Sequence, residues 1–380
     1  MLARALVVMI APAVTLALVA GCGDHPQMMP APPDMARAPL DHPPLWRLTH
    51  GTGAVQAAPE IWTVVWQGDE AIGADTADFV DWMLHSDYWT GSLGEYGIGA
   101  GVSKGLVVIP SAAPALLGDA QLGKLAGMLV SSGQVTANAN TQVAFLPPPT
   151  TTVTAGGIKS CVDFLGYHSH NAGTDSVAYS VTARCDGAPG TPLDQISDTL
   201  SHEAAEAATD PEPRSGIVDL SPGQQEVADL CEFGLDAPVD VPPDATHATA
   251  RRYWVQRLYS DMRAADGTVD PCLPLPWDHP YWNVALDPAV VPAAPGSPAG
   301  IDARLDVFAY GDVGTIKWIA SSAGADVEPA AGEAKAGDTI AVTVTPFAPL
   351  QAGQSAEIDI LSEAAQGGSQ LWIGYVEARQ

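Results

Sequence analysis

The sequence predicts an α/β (α+β) domain built around one metal-candidate helix, followed by a small all-β sandwich. Three observations predict it. Strand-like and helix-like runs alternate between residues 60 and 210. One helix with clear start and stop signals ends in a histidine and a row of carboxylates. After residue 275 the texture changes to five short β-rich runs separated by Gly, Ala, Asp and Ser turns.

The chain opens with Arg4, an apolar run from Leu6 to Val19 and then small residues, the pattern of a secretory signal peptide over 1–21. Val19-Ala20-Gly21-Cys22 looks like the lipobox of bacterial lipoproteins, which implies cleavage before Cys22 and lipidation of its thiol. Residues 22–58 are rich in Pro, Met, Ala and His and carry no periodicity, so they read as a disordered, Pro-rich tether. The expected localisation is that of an exported lipoprotein, on the outer membrane or cell surface, with the membrane as a partner through Cys22.

Folding is expected from Glu60-Ile61-Trp62-Thr63-Val64-Val65-Trp66, a β-rich strand. A helix over 76–85 follows, with Phe79, Trp82 and Met83 at helical spacing. Strands are expected over 105–110, 143–146 and 177–181, and a second helix over 120–130 carries Leu122, Leu125 and Leu129 on one face. The third helix has Thr191 as N-cap, Pro192 at its first position and Asp194 two residues on, and it must stop before Pro211. The metal-candidate domain thus spans 59–275. A β-sandwich over 286–380 follows, with runs at 305–308, 315–319, 339–344, 356–361 and 371–376. Trp318 and Trp372 on those runs read as core, which makes this unit a structural or spacing module.

Composition limits the function. The formal net charge is −28, from 16 Lys and Arg against 44 Asp and Glu. Such a surface repels phosphate backbones, so no nucleic-acid partner is expected. Five cysteines is an odd count, and lipidation of Cys22 would leave Cys161, Cys185, Cys231 and Cys272. In an oxidising compartment these form two disulfides. Chain order suggests Cys161–Cys185 and Cys231–Cys272, with two other connectivities open.

The end of the third helix carries the chemistry. His202, Glu206, Thr209 and Asp210 fall at i, i+4, i+7 and i+8, on one stripe at about 100° per residue. A histidine with carboxylates on one helical face suits a divalent metal, and Glu203 stands where zinc peptidases keep their general base. Glu206 occupies the place of the usual second histidine, giving an HExxE pattern. Downstream, Glu226 is in range to complete the ligand set, and Asp229 to orient His202. His168, in Tyr167-His168-Ser169-His170, offers an imidazole for the missing position.

Several pieces in this order resemble the EXORDIUM-like, phosphate-induced proteins and bacterial secreted relatives with zincin-like helices. They are Trp62–Gly68, Ser86-Asp87-Tyr88-Trp89 with Glu95-Tyr96-Gly97, Gly166-Tyr167-His168, Ser201–Pro211, Glu226 with Asp229-Leu230-Cys231, and Tyr253–Ser260 before Cys272. The resemblance covers roughly 60–275. It implies an extracellular protein whose helix is like that of a zinc metallopeptidase, hence a zincin-like fold for the first domain.

The resulting expectation is a surface-anchored, zinc-dependent hydrolase of the metallopeptidase kind, acting on a peptide or protein. His202, Glu206, Glu226 and Asp210 are the candidate ligands, Glu203 is the catalytic base, and Asp229 and His168 are supporting residues. The alternative is a non-catalytic extracellular binding or cell-wall signalling protein stabilised by zinc or, given the carboxylates, calcium.

Overall fold

The computed structural model describes residues 42–171, 176–232, 236–243, 247, 249–276, 279–322, 324–365 and 367–379. The expected signal peptide, the expected lipidation at Cys22 and the first part of the expected tether lie outside the described residues.

The centre of the first body is a five-stranded sheet ordered Val102–Ile109, Glu60–Trp66, Thr141–Phe145, Ala178–Thr182, Gly166–His170. The first four strands run parallel and the last is an antiparallel edge. The three inner parallel strands are buried along nearly all their length because both faces are covered. Ile61 and Val65 pack with Phe79 of the Glu70–His85 helix and with Leu200 of the Pro192–Thr209 helix. Val64, Val143 and Phe145 pack on the other side with Leu122 and Leu129 of the Asp119–Ser131 helix.

The Pro192–Thr209 helix begins as its sequence requires. Thr191 Oγ1 accepts from the Asp194 amide and Asp194 Oδ2 accepts from the Thr191 amide, satisfying two otherwise orphaned donors. From Leu200 onward the helix is buried all round. Ala204, Ala205, Ala207 and Ala208 keep it slim enough to lie between the five-stranded sheet and the hairpin Asp236–Val241/Arg251–Gln256.

Two further sheets close a second core. One is ordered Tyr281–Asp287, Ile301–Tyr310, Thr339–Pro346, Ala325–Glu328, and the other Val290–Ala293, Ser369–Ala378, Ser355–Ala364, Ile316–Ser321, Ala331–Ala334. Trp318 and Trp372 are buried between them. The long strand Ser369–Ala378 serves both cores by its period of two. Leu371, Ile373 and Tyr375 enter the first core, whereas Trp372, Val376 and Ala378 enter the second.

The expected zincin-like α/β (α+β) fold with an appended sandwich is corrected. Strands make up 39% of the described residues against 20% helix. Among the described residues they form seven sheets, four of which have only two or three strands. The short strands pair with distant partners, as in Leu258–Tyr259 with Cys272–Leu273, so helical periodicity overstated the weight of the helices. The boundaries also differ. Leu48–His50 pairs with Ile217–Asp219 and Leu48 is buried, so the folded body begins inside the segment read as tether. The strand Tyr281–Asp287 begins before residue 286.

Two disulfides form, Cys161–Cys185 and Cys231–Cys272. They fit an extracellular, oxidising environment. Among the described residues no helix is long and apolar enough to cross a membrane.

Candidate metal centre

Three segments deliver the site. The last turns of the Pro192–Thr209 helix present His202, Glu203 and Glu206, and the edge strand Gly166–His170 presents His168 across from them. A loop ending in the turn Asp229–Cys231 supplies Glu226 and Asp229. The disulfide at Cys231 fastens that loop to Cys272.

Glu206 lies between the two imidazoles. Its Oε1 is 3.1 Å from His202 Nε2 and its Oε2 is 3.3 Å from His168 Nδ1. Glu203 Oε2 lies 3.8 Å from the same His168 nitrogen. Three overlapping triads have their ligand atoms within 4.8 Å of one another: His202–Glu206–Asp229, His168–Glu203–Glu206 and His168–Asp210–Glu226.

Neighbours decide which nitrogen of each imidazole faces the carboxylates. Gln256 Nε2 donates to the Ala228 carbonyl at 2.7 Å, so its Oε1 is the end that meets His202 Nδ1 at 2.6 Å. That assigns the proton to Nδ1 and turns the Nε2 lone pair toward Glu206 and Asp229. His168 Nε2 faces the Asp210 carbonyl at 3.1 Å, an acceptor only, so its Nδ1 lone pair points at Glu206 and Glu203.

A lone pair aimed at a carboxylate needs a cation between or beside them. In the metal-free protein a second proton on each imidazole serves. Burial works against charged His202, but Glu206 and Glu203 outweigh it and lift its pKa well above the ordinary value. His168 is raised in the same way, against burial, by Glu226, Glu203 and Glu206. Burial lifts Glu203, and lifts Glu226 strongly, against the pull of the imidazoles. Glu206 goes the other way, since His202 and His168 overcome its burial and hold it well below the carboxylate range. A divalent cation can displace those imidazole protons.

The donor set also fits a metal by what it leaves unsatisfied. Glu203 is 4% exposed, and its Oε2 receives no hydrogen bond; neither does the buried Oε1 of Glu226. A buried acceptor without a donor costs about 1–3 kcal/mol, and a cation removes that cost. The exposure that remains belongs to the side chains of Glu226, Asp229 and His202, at 14, 13 and 11%. Solvent therefore meets the cluster on that side.

The helix stripe and the downstream segment do converge, with roles distributed differently from the expectation. Asp229, read as orienting His202, joins its triad, with Oδ1 4.0 Å from Nε2. The orienting group is Gln256, which the sequence did not single out for this role. Glu226 sits 3.4 Å from His168 Nε2, on the other imidazole. Asp210 caps the following loop: Oδ1 accepts from the Ser215 and Gly216 amides at 3.0 and 2.6 Å, and Oδ2 from Arg214. Gly166 was also missed as a site residue. A Cβ there would stand 2.6 Å from Glu203 Oε1 and 2.9 Å from the Val181 carbonyl, so the seat of Glu203 requires glycine.

No protein-family model and no curated protein matches this chain. Among solved structures, a C. elegans MSP family member is 13% identical, with a TM-score of 0.19 over 26% of this chain and 96% of its own. A PapD-like domain of human CEP192 is 12% identical, with a TM-score of 0.21 over 30% of this chain and 92% of its own. The Vibrio cholerae VesB protease is 12% identical, with a TM-score of 0.22 over 43% of this chain and 44% of its own. Likenesses this slight inform neither the fold of the whole chain nor its function.

Proposed function

We propose that this is an exported, zinc-dependent hydrolase, tethered to the membrane through lipid on Cys22 and acting on a peptide or protein. The observation that carries the reading is the placement of Glu206 between two imidazole lone pairs, with the unsatisfied carboxylate oxygen of Glu203 beside them. His202 Nε2, Glu206 and Asp229 would hold the cation, as the triad nearest the remaining solvent exposure. The bound cation would supply Lewis acidity and bring the pKa of a water towards ~7.

The chain's own residues do the rest. Glu203 Oε2, held out of bulk water, is the group to receive a proton from the attacking water. His168 lies within reach of both Glu203 and Glu206 and can hold a proton or donate a hydrogen bond to developing negative charge. Two carboxylates and one imidazole as ligands would neutralise more metal charge than a histidine-rich set, which calls for a modest turnover.

A second reading is a non-catalytic binding protein stabilised by its metal. It is favoured by the deep burial of Glu203, Glu206 and His168, and by carboxylates that suit calcium. The test is a Glu203→Gln variant of the full chain, assayed for metal content and for cleavage of a mixed peptide library. The hydrolase reading expects metal retained and cleavage lost by a factor of about 10² or more. Cleavage at the parent rate with full metal overturns the role of Glu203, and no cleavage by the metal-loaded parent favours the binding protein.

A further inference from the structure

We propose that the C-terminal sheet pair is a positioning element for the metal loop, acting through Tyr375 and Glu357 on Gln225. This rests on the reading of the His202–Glu206–Asp229 cluster as a metal site. The Gln225 side chain reaches out of the first body: its Nε2 donates to Glu357 Oε2 at 2.6 Å and to the Tyr375 hydroxyl. Tyr375 in turn donates to Glu357 Oε2 at 3.1 Å, and Ser221 Oγ lies 3.1 Å from the same hydroxyl. The loop is pressed against that hydroxyl so closely that a Cβ on Gly223 would stand 2.3 Å from it.

The grip is transmitted by short covalent and hydrogen-bonded steps. Gln225 is tied by its backbone to Asp219, its amide donating to Asp219 Oδ1 at 2.8 Å and its carbonyl accepting from the Asp219 amide at 2.9 Å. The next amide, of Glu226, donates to Asp229 Oδ2 at 3.1 Å, and the Asp229 amide donates to Glu206 Oε1 at 3.3 Å. Asp229 therefore has one carboxylate oxygen fixed by Glu226 while the other faces His202 Nε2. Just before Gln225, Gln224 is held at φ 53°, a conformation that costs a non-glycine residue energy unless its surroundings impose it. Ser221 holds that turn, its carbonyl and Oγ both 3.1 Å from the Gln224 amide nitrogen, and the same Oγ donates to the Tyr375 hydroxyl.

Tyr375 is well suited to report this. Its ring is 1% exposed, packed in the first core, and Tyr375→Phe removes only the hydroxyl. The experiment measures the zinc dissociation constant of the full chain by competition with a chromophoric chelator, together with the visible absorption of the cobalt-substituted protein and the unfolding midpoint of the metal-free form. Tyr375→Phe is expected to weaken zinc by about tenfold and to alter the cobalt spectrum, because groups that orient ligands typically carry 10–100-fold in affinity. Glu357→Gln keeps the shape of the contact and is expected to weaken zinc in the same direction. A parent-like zinc constant and cobalt spectrum in both variants, with only the unfolding midpoint lowered, overturns the positioning role. A parent chain that takes up no zinc or cobalt overturns the underlying metal site instead.

Discussion

His202 Nδ1 donates to Gln256 Oε1 over 2.6 Å, and that bond decides the chemistry of the opposite nitrogen. Gln256 is not free to turn, because its Nε2 is held by the Ala228 carbonyl and its own amide by Ser201 Oγ at 3.0 Å. The Nε2 lone pair of His202 is thereby fixed toward Glu206 and Asp229. A Gln256→Leu variant, similar in size but without the acceptor, is expected to bind zinc about 10–100-fold more weakly than the parent. Chelator competition measures this, and an unchanged constant would remove Gln256 from the account.

Gly166 is expected to tolerate no side chain. A Gly166→Ala methyl would meet Thr199 Cγ2 at 2.5 Å and Glu203 Oε1 at 2.6 Å, with the rigid Val181 carbonyl at 2.9 Å. Overpacking of this kind costs about 1–3 kcal/mol, and Glu203 must move to relieve it. Denaturant unfolding should show the loss of stability.

Asp219, which anchors the Gln225 backbone, carries a pH dependence. Burial, against hydrogen bonds from Ser221 and Gln225, pushes its pKa up from 3.8 to about 6. Its Oδ1 takes those bonds while Oδ2 has no partner and can hold the proton. The folded chain thus binds this proton more tightly than the unfolded chain. The contribution is fully present below pH 3.8 and is lost as pH rises through about 6. Its size is on the order of 3 kcal/mol. Denaturant unfolding between pH 4 and 7 should show this slope in the parent and not in Asp219→Asn.

The Cys231–Cys272 bridge closes 41 residues and lies two positions past Asp229. Replacing both cysteines with serine is expected to cost about 4 kcal/mol through the entropy of the unfolded chain. Thermal unfolding of the variant checks the stability. Zinc affinity should fall as well, since the ligand loop loses its anchor.

The site helix was legible because its limits are local. Thr191, Pro192 and Asp194 cap it and Pro211 stops it, and the observed helix runs Pro192–Thr209. The strand Glu60–Trp66 was equally plain from its β-branched and aromatic run. What escaped depends on distant partners. The two-residue strands Ile158–Lys159 and Cys272–Leu273 carry too little sequence to announce themselves. The role of Gln256 depends on the Ala228 carbonyl fixing its amide, which spacing cannot reveal. The dual burial of Ser369–Ala378 did leave a trace, since Leu371-Trp372-Ile373 followed by Tyr375-Val376 is apolar on both faces, the mark of a strand covered on both sides.

The central claim is that His202, Glu206 and Asp229 hold a divalent cation. The most direct measurement is zinc content per chain, after saturation and removal of free metal, for the parent and for His202→Ala and Glu206→Gln. The account predicts stoichiometric zinc in the folded parent and its loss from both folded variants. A parent that retains no zinc, or variants that retain as much as the parent, would contradict it.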